Sequence, residues 1–329
     1  MTKKIYWTPL VAILAISVLC GLNVNTSQVS AVESPSITIV PDKILDETLV
    51  PGDNVTISLY TDYNGSDVWS YQFTLSYNSS VLRGGVNKTD TWTGNGVTDK
   101  FYTTYTPMIE GSEYVWVNGT LQILGTDYLM NYGIGEVWFA PWSIPGVGAN
   151  ITAKYLYGVV NGDLITGDPS AEFEPGTFNE TLGELSLTVG WFFYMAPADP
   201  YVTSGPGILA NVTFTVVGYG FSHLTLGFDT ILIGYNTITH EPYDIINAKI
   251  DADHIRHGYF SDKIPGDIDG DKDVDPFDFS AFRVAYGSKG PPQKDPADAN
   301  YNLQADLDLD GDVDPFDFST FRVNYGKTI

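Results

Sequence analysis

"DIDGDKDVDPFD" (residues 267–278) and "DLDLDGDVDPFD" (residues 306–317) are two copies of one pattern set 39 residues apart, and residues 273–287 match 312–326 at all but two positions. In each copy aspartates stand at positions 1, 3, 5, 9 and 12: Asp267, Asp269, Asp271, Asp275 and Asp278, then Asp306, Asp308, Asp310, Asp314 and Asp317. A hard cation takes six to eight oxygens at about 2.3–2.6 Å, and a tight loop with acids on alternate residues aims them inward from one side. The residues at position 7, Asp273 and Asp312, are expected to complete the set through their backbone carbonyls, with side chains facing out. Without an ion, carboxylates about 5 Å apart repel by roughly 0.8 kcal/mol per pair even in a water-like dielectric, so the loops need a cation to order. Calcium is the expected cofactor, one ion per loop.

A helix is expected to leave each loop. Asp275 and Asp314 sit at the N-cap, and Pro276 and Pro315 occupy the first helical position, where a missing N–H costs nothing. Phe279, Phe282 and Tyr286, like Phe318, Phe321 and Tyr325, recur at spacings of three and four and form an apolar stripe, and Gly287 and Gly326 end each helix. Pro265 and Gly266 stand before the first loop and argue against an entering helix, so each unit is half of an EF-hand. The prolines of "SKGPPQKDPADA" (288–299) make the segment between the halves a loop.

Two such half-hands near a C-terminus resemble a dockerin domain, over residues 261–329. The resemblance implies a cohesin-bearing protein as partner, met by loop positions 10 and 11 and the outward helix face: Pro276, Phe277 and Arg283, and Pro315, Phe316 and Arg322. Because the copies match so closely, it also implies two alternative docking orientations. The plainer alternative is that Phe277 and Phe316 pack the unit's own core. Lys272 occupies position 6, where the second loop has Gly311 and where the backbone takes positive φ, so strain there predicts weaker calcium binding in the first loop.

Upstream the pattern is strand, turn, strand. "VTISLY" (55–60), "WSYQFTLSY" (69–77), "EVWFA" (136–140), "ELSLTV" (184–189), "ILANVTFTVV" (208–217) and "HLTLGF" (223–228) alternate β-branched or aromatic residues with polar ones. Many short strands without intervening helices predict a mainly β chain, an antiparallel β-sandwich over residues 32–260. "WSYQFTLSYNSSVL" (69–82), "GPGILANVTFTVVG" (205–218) and the closing "HGYF" (257–260) resemble strands of cohesin domains. That resemblance implies a jelly-roll sandwich and a dockerin-bearing protein as second partner. Residues 84–180 are longer and richer in Gly, Pro and Tyr than a minimal cohesin, and no interface residue is carried over to them.

The 329-residue chain holds 40 acidic and 16 basic residues, a net charge of −24. Such a surface repels nucleic acid and anionic membranes and attracts cations. Lys3 and Lys4 precede an apolar run from Trp7 to Leu22, and Val29-Ser30-Ala31 offers a cleavage site, so residues 1–31 read as a signal peptide, with export to the extracellular space or cell surface and no membrane span afterwards. Cys20 lies inside that run, leaving the mature chain without disulfides. N-x-S/T acceptors stand at Asn54, Asn64, Asn78, Asn87, Asn118, Asn150, Asn179 and Asn211, all before residue 260, and make glycosylation an expectation.

Two other functions have residues in their favour. A glycosidase needs paired carboxyls, and Glu110, Glu113, Glu136, Glu172 and Glu184 are available without a motif that pairs them. His223, His240, His254 and His257 are too scattered for a metal or nucleophile site, and "DADHIRH" (251–257) reads as a polar turn. A polysaccharide-binding sandwich is the main alternative, because Trp69, Trp92, Trp116, Trp138, Trp142 and Trp191 could include stacking platforms, although most should be core. The expected function is a non-catalytic, calcium-dependent adaptor of an extracellular, polysaccharide-degrading or cell-surface complex.

Overall fold

The computed structural model describes residues 35–328 except 166–170, 193–201, 292 and 295, so the expected signal peptide lies outside the described residues. All six quoted strands form, because alternation gives each of them one face to bury. In Asn54–Thr61 the side chains of Val55, Ile57, Leu59 and Thr61 point inward. In Val68–Ser76 the residues Tyr71, Phe73 and Leu75 do so from the facing sheet. One sheet orders Val159–Asn161, Gly207–Val216, Asn54–Thr61, Ile37–Val40 and Ile255–Arg256, with Leu82–Gly84 on the far half of Gly207–Val216. The other orders Ala171–Glu174, Glu184–Phe192, Val68–Ser76, Phe221–Leu226, Gly258–Ser261 and Lys43–Leu45, with the Ile231–Asn236/Glu241–Asn247 hairpin beside Val68–Ser76. A single apolar cluster fills the space between the two sheets, including Ile57, Leu59, Tyr71, Phe73, Val212 and Phe214. The Tyr71 hydroxyl donates across it to Asn161 Oδ1 at 2.8 Å.

The sandwich is not wholly antiparallel. Ile37–Val40 runs parallel to Ile255–Arg256, and Lys43–Leu45 parallel to Gly258–Ser261. The first described segment thus accompanies the last in both sheets and ties the two ends of the sandwich together.

The long middle region builds a second β layer pair with its own core. Val86–Thr93, Asn150–Tyr157, Tyr114–Val117 and Thr120–Leu121 form one sheet; Tyr128–Asn131, Glu136–Phe139 and Lys100–Tyr102 form another. Phe101, Val115, Tyr128, Val137, Phe139, Ile151 and Ala153 pack between them. The chain leaves the sandwich at Gly85 and returns at Gly158, where a Cβ on Gly158 would meet Gly85 Cα at 2.8 Å, so this crossing needs glycine.

The last strand leads into a small unit with helices α1 (Pro276–Ala285) and α2 (Pro315–Asn324). Ile264, Ile268, Val274, Phe282, Ala285, Ala305, Val313 and Phe321 form its core. Among the described residues no helix is long and apolar enough to cross a membrane.

Candidate metal centres

Each aspartate loop is closed by its last acid. Asp278 is fully buried, and its Oδ1 accepts from the Ile268 and Asp269 amides at 2.6 and 3.1 Å while Oδ2 accepts from Asp275 at 2.8 Å. Asp317 repeats this with Leu307, Asp308 and Asp314 at 2.6, 3.2 and 2.7 Å. Asp275 and Asp314 cap the helices as expected, accepting from Phe277 and Phe316 at 2.6 Å, and the Asp278 and Asp317 bonds complete reciprocal capping boxes. Each loop is then pinned to the other half. The Val274 amide donates to Lys327 O at 3.0 Å, and Gly287 donates to Val313 O at 2.7 Å. The two halves are thereby related by an approximate two-fold.

The acids converge. Carboxylate oxygens of Asp267, Asp269 and Asp271 lie within 4.8 Å of one another, as do those of Asp271, Asp273 and Asp278; the second loop groups Asp306, Asp308 and Asp317, and Asp312, Asp314 and Asp317. Ligands on opposite sides of a calcium ion stand roughly 4.6–5.2 Å apart, so these all-oxygen groups fit one hard cation per loop. Burial, reinforced by neighbouring carboxylates, pushes the acids of Asp269, Asp273 and Asp308 up. Burial also raises Asp306, and it raises Asp317 to about 6. A site whose acids resist charging beside one another is one that a cation would relieve.

The side chains of Asp273 and Asp312 do not face out. Oδ1 of each is buried without a hydrogen-bond partner and lies in the groups just described. The cause is the short bridge across the two-fold, which pairs Asp273 with Thr328 and Asp312 with Lys289. Side chains alternate along it, so with Val274 and Val313 in the core the preceding aspartates take the loop side. Lys289 Nζ donates to the other oxygen of Asp312 at 3.0 Å.

Lys272 has φ +80°, the positive value expected at position 6. Leu309, at position 4 of the second loop, has φ +59° where the first loop has Gly270. Each loop therefore holds one strained non-glycine residue, and strain alone does not rank the first loop below the second.

Phe277 and Phe316 are each 72% exposed, so neither packs the unit's core. Pro276, Arg283, Pro315 and Arg322 are exposed too. Beside them Phe279, Phe282, Arg283, Tyr286 and Phe318 line an open apolar depression between the helices, with the Phe279 and Phe318 rings 6.3 Å apart. The stripe is therefore split: Phe282 and Phe321 enter the core, while Phe279, Phe318, Tyr286 and Tyr325 stay partly open.

The other candidate residues are dispersed. Glu113 is buried against the hydroxyls of Tyr128 and Tyr132, Glu136 pairs with Lys100 at 2.8 Å, Glu110 is exposed, and Glu172 and Glu184 fall in separate strands. Residues 252–254 form a short turn, and His257 Nδ1 accepts from the Leu226 amide at 3.1 Å rather than joining a metal cluster. Burial lowers the pKa of both His223 and His257. Trp69, Trp92, Trp116 and Trp191 are half-buried, whereas Trp138 and Trp142 are exposed. Of the glycosylation acceptors, Asn54, Asn64, Asn78, Asn87, Asn118, Asn150 and Asn179 are exposed; Asn211 is half-buried and accepts from Ser58 Oγ at 2.6 Å.

No family model matches the chain. An uncharacterized protein of Methanocaldococcus jannaschii is 39% identical over 75 residues, and the match covers 22% of this chain and 32% of that protein's length. Among solved structures, the chain is similar to a non-cellulosomal cohesin from the hyperthermophilic archaeon Archaeoglobus fulgidus, at 12% identity and TM-score 0.30, covering 69% of this chain and 89% of that one. It is similar to a type II cohesin domain from the cellulosome of Acetivibrio cellulolyticus at 15% identity and TM-score 0.32, covering 64% and 88%. A chain of a type I cohesin–dockerin complex from Clostridium thermocellum matches at 8% identity and TM-score 0.33, covering 69% and 98%.

Proposed function

We propose that this protein is a non-catalytic, calcium-dependent adaptor of an extracellular complex, with a dockerin-like C-terminal plug and a cohesin-like sandwich that receives another protein's dockerin. The observation that carries the reading is the doubled centre: two loops that each gather their aspartates into close carboxylate groups, each capping a helix and each pinned to the other half. In this reading Asp267, Asp269, Asp271, Asp273 and Asp278 hold one calcium ion, Asp306, Asp308, Asp312, Asp314 and Asp317 the other. Asp275 and Asp310 support their respective loops. Calcium held there would neutralise the carboxylates, and the capping boxes of Asp275 with Asp278 and Asp314 with Asp317 would carry the order of the loops into the helices. Phe277 and Phe316 then stand at equivalent, exposed positions as apolar anchors, with Arg283 and Arg322 exposed further along the same helices, which suits a plug that docks in either of two orientations.

Binding of the purified chain to immobilised cohesin modules, and of dockerin modules to the immobilised chain, tests this with calcium and with chelator. Calcium-dependent capture in the first arm, lost in the Phe277→Ala/Phe316→Ala double variant, is the expected result. No capture in either arm contradicts it.

A second reading, attachment to polysaccharide through the middle layer pair, has one observation in its favour. Tyr114 and Trp116 stack at 6.0 Å, with Lys154 Nζ 5.5 Å over the Trp116 ring. Retention on insoluble glycan without a protein partner would favour it.

A further inference from the structure

The joint between the C-terminal unit and the sandwich is built from the aspartate loops themselves. Tyr219 lies in the turn before the Phe221–Leu226 strand, and its hydroxyl donates to Asp267 Oδ2 at 2.7 Å and accepts from the Ile264 amide at 3.3 Å. Lys272 Nζ sits 5.2 Å over the same ring. Asp262, on the chain entering the loop, accepts from the neighbouring Gly220 amide at 2.7 Å.

The second loop makes the same bond from a different source. Tyr301 donates to Asp306 Oδ2 at 2.7 Å, but Tyr301 belongs to the C-terminal unit's own connecting segment. The position-6 amide also bonds Oδ2 in both loops, while Oδ1 takes the position-4 amide in the first loop and the position-5 amide in the second. Asp267 takes the Gly270 amide on Oδ1 at 2.7 Å and the Lys272 amide on Oδ2 at 3.2 Å. Asp306 takes the Asp310 amide on Oδ1 at 3.1 Å and the Gly311 amide on Oδ2 at 3.0 Å. A carboxylate has about four acceptor sites, so in both loops the tyrosine and two amides leave roughly one, on Oδ1, for a cation. The tyrosine hydroxyl is thus a recurring part of the centre, and only in the first loop does the sandwich supply it.

We propose that Tyr219 is a positioning residue of the first loop, so that the sandwich completes this centre and cation binding and packing of the two units reinforce each other. The inference rests on the calcium reading given above. Whatever the packed sandwich adds to cation affinity, the cation returns to the packing by the reciprocity of linked equilibria.

The test is Tyr219→Phe in the full chain, which keeps the ring under Lys272 and removes only the hydroxyl. Calcium is titrated into the metal-stripped protein while the amide resonances of Gly270 and Gly311 report the first and second loops separately. The midpoint at Gly270 is expected to rise roughly ten-fold, as for loss of one hydrogen bond to a charged group, while Gly311 is unchanged. Tyr301→Phe should show the reverse pattern. Calcium should also slow amide exchange at Gly220 in the wild type and not in Tyr219→Phe. An unchanged Gly270 midpoint in Tyr219→Phe, or equal shifts at both glycines, overturns the positioning role and leaves the calcium reading standing. A wild-type chain in which neither glycine responds to calcium overturns both.

Discussion

Stripping divalent cations at neutral pH is expected to unfold the C-terminal unit while the sandwich stays folded. In the second loop Asp306, Asp308 and Asp317 bring three oxygens within 4.8 Å of one another. Three charged pairs at that separation repel by about 0.9 kcal/mol each in a water-like dielectric, or about 2.6 kcal/mol together. The first loop brings a different trio, Asp267, Asp269 and Asp271, equally close. A core as small as the one around Phe282 and Phe321 supplies only about 3–5 kcal/mol, so the metal-free unit should lie near its unfolding midpoint. Acid should rescue it. Burial pushes the Asp317 acid from 3.8 to about 6, and Asp306 and Asp308 move the same way. A carboxyl whose pKa is raised on folding favours the fold when protonated, and that contribution is lost as pH rises through about 6. The metal-free unit should therefore gain stability from about pH 7 to about pH 5, whereas the calcium-loaded unit should lose it as protons displace the ion. Amide exchange of α1 and α2, measured at both pH values with calcium and with chelator, gives the four stabilities. Equal protection with and without cation at neutral pH, or a metal-free unit that weakens on acidification, would refute the reasoning.

Packing and backbone strain give two further expectations. Phe321→Ala, at a side chain 2% exposed, should cost about 3–5 kcal/mol and leave α1 and α2 unfolded even with calcium, while Phe277→Ala, 72% exposed, should shift stability by no more than about 0.5 kcal/mol; circular dichroism melts of both variants check this, and equal costs would contradict the placement of the two rings. Leu309→Gly, relieving a φ of +59°, should stabilise the loaded unit by about 0.5–1 kcal/mol in the same melts, and a loss of stability would show that the Leu309 side chain is needed there.

Where the determinants are local, the sequence was sufficient. Aspartates on alternate positions, Asp275 and Asp314 before proline, and aromatic residues at three- and four-residue spacing act within one turn of chain, and the loops and helices stand where that spacing puts them. Strands such as Asn54–Thr61 and Gly207–Val216 were legible because each buries one face along its whole length. The middle layer pair was legible only at Glu136–Phe139. Its Tyr128–Asn131 and Lys100–Tyr102 strands are short and broken by turns, so the alternation has too few residues to register, and Val86–Thr93 has no fully buried face to mark it. Tyr219 was also missed, because a lone turn tyrosine 48 residues from Asp267 carries no local signal. The orientation of Asp273 is fixed by pairing with Thr328, distant chain that loop spacing does not encode. The positive φ of Leu309 recurs at Gly270, the same position of the first loop, so it belongs to the loop's own turn, and only the non-glycine residue there hid it.

Calorimetric titration of calcium into the metal-stripped full chain bears most directly on the paired centres. Two ions should bind per chain, falling to one in Asp278→Asn or Asp317→Asn and to none in the double variant, because each substitution removes the charge that closes one loop. A wild-type chain that takes up no calcium, or a double variant that still binds two ions, would contradict the assignment of the loops as the cation sites.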